Sequence, residues 1–222
     1  MVLRYYFDLM SQPSRAVYLF LKAANIPFEA CPVALRSGEH LTPEYEKVNP
    51  RKQVPAIDHD GFKLAESIAI MRYLCTQFPV EDHWYPKDPK KCARVDEYMA
   101  WQHLNLRMSG SMFFQTRVIL KPVDEGKLEM WRGRLDDTLD KMEASFISPA
   151  QFINGMDDIS IADLLAACEL EQPITGGYDM VKEHPKVHAY MEKVRTRLTP
   201  ALYDEAHKIS HIAREKVLTG KL

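Results

Sequence analysis

The chain has 222 residues, of which 46% are hydrophobic and 27% charged, and its formal net charge is −2 at pH 7. This composition is typical of a globular protein with one large domain or two small ones. The near-neutral charge argues against nucleic acid as a partner, because nucleic-acid-binding domains normally carry a strongly basic face.

Two further compositional features bear on cellular location. No apolar run approaches the roughly 20 residues needed to span a bilayer, and the first ten residues, MVLRYYFDLM, are too polar for a secretory signal peptide. The four cysteines show no paired spacing, which argues against a disulfide framework or a zinc site. We therefore expect a cytoplasmic protein with reduced thiols, without a membrane association and without a metal.

The first eighty residues predict a βαβ unit followed by a ββα unit. Aromatic and apolar runs mark the strands, and Gly, Pro and Asp clusters mark the turns. The predicted elements are a strand at 2–9, a helix at 15–24, strands at 28–35, 54–57 and 62–65, and a helix that begins at Glu66 and Ser67. This order indicates a thioredoxin-like domain, in which helices cover a small mixed sheet.

The junction of the first strand and first helix carries Ser11, Gln12, Pro13 and Ser14. Redox proteins of thioredoxin-like architecture place a Cys-x-x-Cys pair at this junction. Without that dithiol, disulfide exchange is not expected. The Ser11 hydroxyl is able to donate a hydrogen bond to a thiolate brought by a ligand; alternatively, Ser11 only caps the helix.

The stretch around Pro55 predicts a binding edge for a small peptide. Proline inside a strand is expected only at an edge or a bulge. If the Val54–Pro55 bond is cis, the Val54 backbone stays unpaired and can hold an extended peptide by strand addition. The helix start at Glu66 and Ser67 offers groups for an amino-acid head group. Alternatively, Pro55 only blunts a sheet edge, and Glu66 and Ser67 only begin a helix.

The rest of the chain predicts helices. Residues 80–89 are rich in proline and charge, which is typical of a linker. The predicted helices are at 90–119, 125–146, 161–170 after a capping box of Ser160 and Asp163, 181–197 and 201–217. The expected fold class is α/β plus all-α, with an N-terminal thioredoxin-like βαβ-ββα domain at 1–79 and an all-helical C-terminal domain at 90–222.

Two histidine pairs have the i,i+4 spacing of metal ligands on a helix. They are His184 with His188 and His207 with His211. Neither pair has the glutamate of a metalloprotease motif or a third ligand nearby in the sequence. We therefore expect solvent-exposed surface histidines.

Motifs along the whole chain resemble the glutathione S-transferases, and they look most like the theta class. The motifs are LRYYFDLMSQPSRAVYLF, VNPRKQVPAI, LAESIAIMRYL, HWYPKDPKKCARVDEYMAWQH and DISIADLLAACEL. The resemblance implies a thioredoxin-like domain that binds glutathione, a helical domain that binds the electrophile, and a homodimer.

The resemblance also implies a role for individual residues. Ser11 hydrogen-bonds the glutathione sulfur. The implied glutathione contacts are His40 and Gln53 at the glycyl end, Val54 at the cysteinyl backbone, and Glu66 and Ser67 at the γ-glutamyl head. Arg107 corresponds to a position facing the active centre, where it supports an anionic leaving group or the glutathione carboxylates. Leu104 stands where some relatives place a polar residue near the ligand.

The implied reaction is attack of the glutathione thiolate on small electrophiles such as alkyl halides, epoxides and activated esters, with organic hydroperoxide reduction as a further activity. A thiol has a pKa near ~8.5, so lowering it by ~2 units, or ~2.7 kcal/mol, makes the thiolate the main form. Because the chain ends at Leu222, short of the extension of longer theta members, we expect a more open electrophile pocket.

Three alternatives stay open at this point. One is a non-catalytic protein of the same fold that binds glutathione or hydrophobic ligands. Another is that Tyr6, on the first strand, takes the place of Ser11 as the donor to the sulfur, as a tyrosine does in other transferase classes. A glutathione-dependent isomerase or lyase is disfavoured, because the serine loop lacks the Ser-Cys pair expected of that branch.

Overall fold

A computed structural model describes residues 2–147 and 152–221. Its four-stranded mixed sheet has the order β2-β1-β3-β4. The strands are β1 at Leu3–Phe7, β2 at Glu29–Pro32, β3 at Ala56–His59 and β4 at Phe62–Ala65. β1 pairs parallel with β2 and antiparallel with β3, and β3 pairs antiparallel with β4.

The N-terminal region that forms this sheet also contains three helices: α1 at Gln12–Ala23, α2 at Pro43–Glu46 and α3 at Ser67–Gln77. Together they confirm the predicted thioredoxin-like βαβ-ββα order. Every residue from Pro13 to Leu21 is buried, because α1 packs against α3 and also against helices of the C-terminal region. β1 and β2 are shorter than predicted, β3 begins two residues after Val54, and β4 has the predicted bounds.

The C-terminal region is helical, as predicted. Its elements are α4 at Pro89–Gln102, α5 at Leu106–Phe114, a π-helical turn at Gln115–Ile119, α6 at Glu125–Ser145, α7 at Ile161–Thr175, α8 at Met180–Glu183, α9 at Pro185–Leu198 and α10 at Pro200–Leu218. α7 is buried along almost its whole length and contacts α1, α4, α5, α9 and α10. It is therefore the central helix of the molecule.

The predicted continuous helix over 90–119 is wrong. The helix breaks between α4 and α5, where Asn105 has a non-helical backbone and its side-chain amide donates to the Trp101 carbonyl at 2.7 Å. This amide satisfies a carbonyl at the end of α4. Leu104, just before this break, is 75% exposed.

The capping box at the start of α7 is confirmed. The buried Asp163 carboxylate accepts from the backbone N–H and the hydroxyl of Ser160, both at 2.8 Å. It also accepts from the Ile153 backbone N–H at 2.9 Å and from the Tyr190 hydroxyl at 2.7 Å. α7 then continues through Pro173 and ends at Thr175, five residues beyond the predicted end at 170.

The histidine pairs differ from the prediction. His184 and His207 are buried, and the imidazole Nδ1 of His207 lies 2.8 Å from the Tyr203 carbonyl. Across residues 2–147 and 152–221, no cluster of His, Cys, Asp and Glu is placed to hold a metal ion. None of the helices described there has both the length and the hydropathy of a transmembrane span.

Candidate functional site

A cavity of about 370 Å³ opens where the starts of α1, β3 and α3 face the α4–α5 junction. This volume lies at the lower end of the range for small-molecule sites, roughly 300–1,000 Å³. The fold brings all of the predicted site residues to this one cavity: Ser11, His40, Gln53, Val54, Glu66, Ser67 and Arg107. They come from segments almost a hundred residues apart in sequence.

Ser11 lies at the N-cap of α1. Its Oγ accepts from the Ser14 backbone N–H at 3.4 Å, which is a long hydrogen bond. A hydroxyl accepts through its lone pairs, so this cap leaves its proton free to donate. The adjacent helix N-terminus carries a partial positive charge that favours an anion at this position.

Hydrogen bonds from Arg15, which is fully buried, fix the loop before Ser11. One guanidinium nitrogen, Nη1, donates to the carbonyls of Leu9 and Met10 at 2.9 and 3.2 Å. The other, Nη2, donates to the Cys168 carbonyl on α7 at 3.2 Å. A single side chain thus fixes the position of the Ser11 loop relative to the central helix.

The edge beside Pro55 matches the sequence hypothesis. The Val54–Pro55 bond is cis, as predicted. The first ladder pair of β3 joins Ala56 to Tyr6, so Val54 precedes the sheet pairing. The carbonyl of the preceding residue, Gln53, accepts from the Tyr45 hydroxyl at 2.8 Å and from the Asn49 amide at 2.7 Å. These two bonds fix the segment that presents Val54 to the cavity.

Glu66 and Ser67 line the cavity at the start of α3. α3 begins at Ser67, which is buried, and the Glu66 side chain makes no capping hydrogen bond to the helix. Its carboxylate lies 3.6 Å from the Arg51 guanidinium instead. Glu66 also has a φ of 73°, a conformation that non-glycine residues seldom adopt and that clusters at ligand sites. This geometry goes beyond that of a residue that only begins a helix.

Arg107 forms a cationic part of the cavity wall. Its guanidinium donates to the buried Glu169 carboxylate at 2.7 Å, and the Arg107 side chain stays 35% exposed. Burial and the charge of Arg107 lower the pKa of the neighbouring His103, against the effect of Glu66. The imidazole of His103 therefore favours its neutral form, in which one ring nitrogen accepts a hydrogen bond.

Three polar lining residues were missed by the sequence reasoning: Asn49, Lys52 and His103. Asn49 and Lys52 flank the predicted contact Gln53, so their nearness in sequence was the available signal. His103 precedes Arg107 by four residues, a spacing that places both on one face of the helix predicted over 90–119, so this spacing was the available signal. The Lys52 ammonium lies 3.1 Å from the Glu46 carboxylate. Lys52 directly precedes Gln53 in the sequence.

Tyr6 does not belong to the described lining of the cavity. Its ring packs edge-on against Tyr45, with 6.3 Å between the ring centroids. Burial, with contributions from Cys31 and Asp58, raises the pKa of its hydroxyl. This placement favours Ser11 over Tyr6 as the group nearest to a bound sulfur.

The fold defines a class of protein: a thioredoxin-like domain followed by a helical region, with a cavity lined by residues of both. Residues 1–76 match the family described as glutathione S-transferase, N-terminal domain. The chain is 43% identical to glutathione S-transferase theta-1 of Mus musculus over 94% of this chain and 89% of that protein.

Solved structures agree with this match. Human glutathione-S-transferase T1-1 in its apo form has a TM-score of 0.90 and 38% identity, over 96% of this chain and 91% of that one. A human theta-class transferase in complex with the glutathione conjugate of 1-menaphthyl sulfate has a TM-score of 0.91 and 35% identity, over 100% of this chain and 92% of that one. The chain belongs to the glutathione S-transferase family, in its theta class, and is a glutathione transferase.

Proposed function

We propose that the cavity binds glutathione as the co-substrate and that the Ser11 hydroxyl stabilises its thiolate for attack on small electrophiles. The observation that carries this proposal is the convergence of the seven predicted site residues on one cavity, with the Ser11 hydroxyl proton uncommitted. The chain's own Cys168 is buried, and burial raises its thiol pKa to about 12. No cysteine is among the described residues that line the cavity, so the nucleophilic sulfur is supplied by the ligand.

In this pose each part of the tripeptide meets a suitable group. His40, Gln53 and Lys52 face the glycyl carboxylate, and the buried Nδ1 of His40 has no other hydrogen-bond partner in the described residues. The Val54 backbone pairs with the cysteinyl unit by strand addition. The first N–H groups of α3, with Ser67, bind the γ-glutamyl carboxylate, and Glu66 binds its ammonium.

Three effects lower the pKa of the bound thiol. They are the hydrogen bond from Ser11, the dipole of α1 and the charge of Arg107. A shift of ~2 units corresponds to ~2.7 kcal/mol, which is within the combined range of a charge-assisted hydrogen bond and a helix terminus. The thiolate is itself the nucleophile, so the transfer step requires no metal.

The electrophile approaches from the side of α5, where Arg107 faces the cavity. The Arg107 guanidinium stabilises the negative charge that develops on a departing halide, sulfate or epoxide oxygen. We further propose that the protein works in the cytoplasm as a homodimer and reduces organic hydroperoxides as a secondary activity.

The test is an assay of glutathione-dependent turnover with an alkyl halide, an epoxide and cumene hydroperoxide. Wild type and Ser11→Ala are compared under the same conditions. The proposal predicts turnover that Ser11→Ala largely removes. Binding of glutathione without turnover of any substrate would favour the non-catalytic alternative, and turnover unchanged by Ser11→Ala would refute the proposed mechanism.

A further inference from the structure

Glu169 is a buried carboxylate on α7 that the proposed mechanism does not use. It is 1% exposed, and its Oε1 accepts from Nη1 of Arg107 at 2.7 Å. Its Oε2 has no hydrogen-bond partner among the described residues. A buried carboxylate is costly unless it is paired with a cation, and the cation paired here lines the cavity.

A second cation lies near the same carboxylate. The fully buried Arg15 donates to the Cys168 carbonyl, one residue before Glu169, and to the two carbonyls before Ser11. Burial raises the pKa of Glu169, while the charges of Arg107 and then of Arg15 act against that shift. One carboxylate thus interacts with the arginine that lines the cavity and with the arginine that fixes the Ser11 loop.

We propose that Glu169 is a positioning residue for the transfer reaction: it holds the Arg107 guanidinium at the cavity wall. The inference rests on the proposed function, in which the Arg107 guanidinium stabilises negative charge on the bound sulfur or on the leaving group. Glu169 itself is buried below Arg107 and acts through it.

The physical reason is preorganisation. A free arginine side chain samples many rotamers, and ordering it during the reaction costs free energy. A guanidinium already fixed by a buried carboxylate acts on developing negative charge without that cost. Releasing Arg107 therefore lowers the rate of the reaction. Removing the charge of Arg107 itself raises the pKa of the bound thiol, whereas removing the charge of Glu169 lowers it.

The experiment is a double-mutant cycle of Glu169→Gln and Arg107→Gln. For each variant, kcat and the pH profile of kcat/KM are measured with one alkyl halide. We expect each single substitution to lower kcat on the order of tenfold. Arg107→Gln should move the profile to higher pH, because a positive charge is lost, and Glu169→Gln should move it to lower pH, because a negative charge is lost. We expect the double variant to have the kcat of Arg107→Gln alone, since Glu169 acts through Arg107.

Two outcomes would overturn the proposal. One is a Glu169→Gln effect that is just as large in the Arg107→Gln background, and the other is an unchanged profile in Glu169→Gln. The matched control is Glu171→Gln. It removes another buried carboxylate of α7, whose partners are Tyr203 and His211 and not Arg107. It is expected to lower stability without moving the pH profile.

Two additions keep the test decisive. If Glu169→Gln fails to fold, Glu169→Asp keeps the charge but shortens its reach to Arg107, and a wild-type kcat in that variant would overturn the proposal. Wild type without any turnover would refute the proposed function instead. The same cycle on glutathione affinity, measured by calorimetry, then tests the coupling of Glu169 to Arg107 independently: non-additive losses support it and additive losses overturn it.

Discussion

Ser11 Oγ lies 3.4 Å from the backbone nitrogen of Ser14 and accepts its hydrogen bond, while Ser11 also lines the cavity. The capping bond uses a lone pair of the hydroxyl and leaves its proton for another partner. The Ser11 hydroxyl can therefore cap the helix through its oxygen lone pair and donate its proton to a ligand at the same time. Stability and turnover measurements separate these two roles.

We expect Ser11→Ala to lower the free energy of unfolding by about 1 kcal/mol or less, because a long capping bond contributes little. Its kcat should fall about 10²-fold, the cost of losing one donor to a reacting anion. The measurements are urea unfolding and steady-state kinetics. Tyr6→Phe is the control and should keep near wild-type turnover; a larger loss in Tyr6→Phe would make Tyr6 the donor.

Glu66 offers a separate test, because its backbone and its side chain can be altered independently. Its φ of 73° costs a non-glycine residue about 1–3 kcal/mol. Glu66→Gln keeps this strain and removes the charge, whereas Glu66→Gly removes both. Both variants should raise the KM for glutathione about tenfold, because a hydrogen bond to a charged group is lost.

The two Glu66 variants should differ in stability. Glycine adopts a positive φ without strain, so Glu66→Gly should unfold at a higher urea concentration than Glu66→Gln. An unchanged KM in both variants would show that Glu66 has only a structural role. Equal stability of the two variants would show that the backbone at this residue is not strained.

Much of the fold was predictable because its signals are local. The alternation of apolar residues in β1, the turn before Phe62 and the capping box at Ser160 each depend on a few neighbouring residues. The cavity residues were reached through motif resemblance. Their convergence follows from the thioredoxin-like order, which brings the starts of α1 and α3 to the same side of the sheet.

Other features depend on contacts between distant segments and left no local signal. Helical periodicity continues through Leu104, so the break at Asn105 was hidden. The burial of His207 arises because α10 packs against α1 and α7, which no pattern within α10 indicates. Arg15 shows the same limit: its complete burial depends on carbonyls from its own loop and from α7.

The capping box predicts a large loss of stability on substitution. The Asp163 carboxylate accepts hydrogen bonds from two backbone N–H groups and two hydroxyls, and it is fully buried. Asp163→Ala leaves those donors unpaired, so we expect a loss of about 3–5 kcal/mol. Urea unfolding measures this loss. Ser160→Ala, which removes one of the four donors, should cost about 1 kcal/mol; equal costs would contradict the prediction.

The buried His207 predicts a dependence of stability on pH. Burial lowers its pKa from 6.5 to about 4, against the charge of Glu171. Between these two values the unfolded state binds a proton that the folded state does not, so acidification favours unfolding. His207 therefore contributes stability that is present above about pH 6.5 and is lost as the pH falls to about 4, by up to about 3 kcal/mol.

The neighbouring His211 acts in the opposite direction. Its hydrogen bond to Glu171 raises its pKa, so its contribution is present below the ordinary value and is lost as the pH rises. We expect His207→Leu to flatten the fall in unfolding free energy between about pH 6.5 and pH 4, and His211→Gln to remove a loss of stability that sets in as the pH rises above about 6.5. The measurement is urea unfolding across both ranges. A His207→Leu slope equal to that of wild type would show that His207 does not titrate as its burial requires.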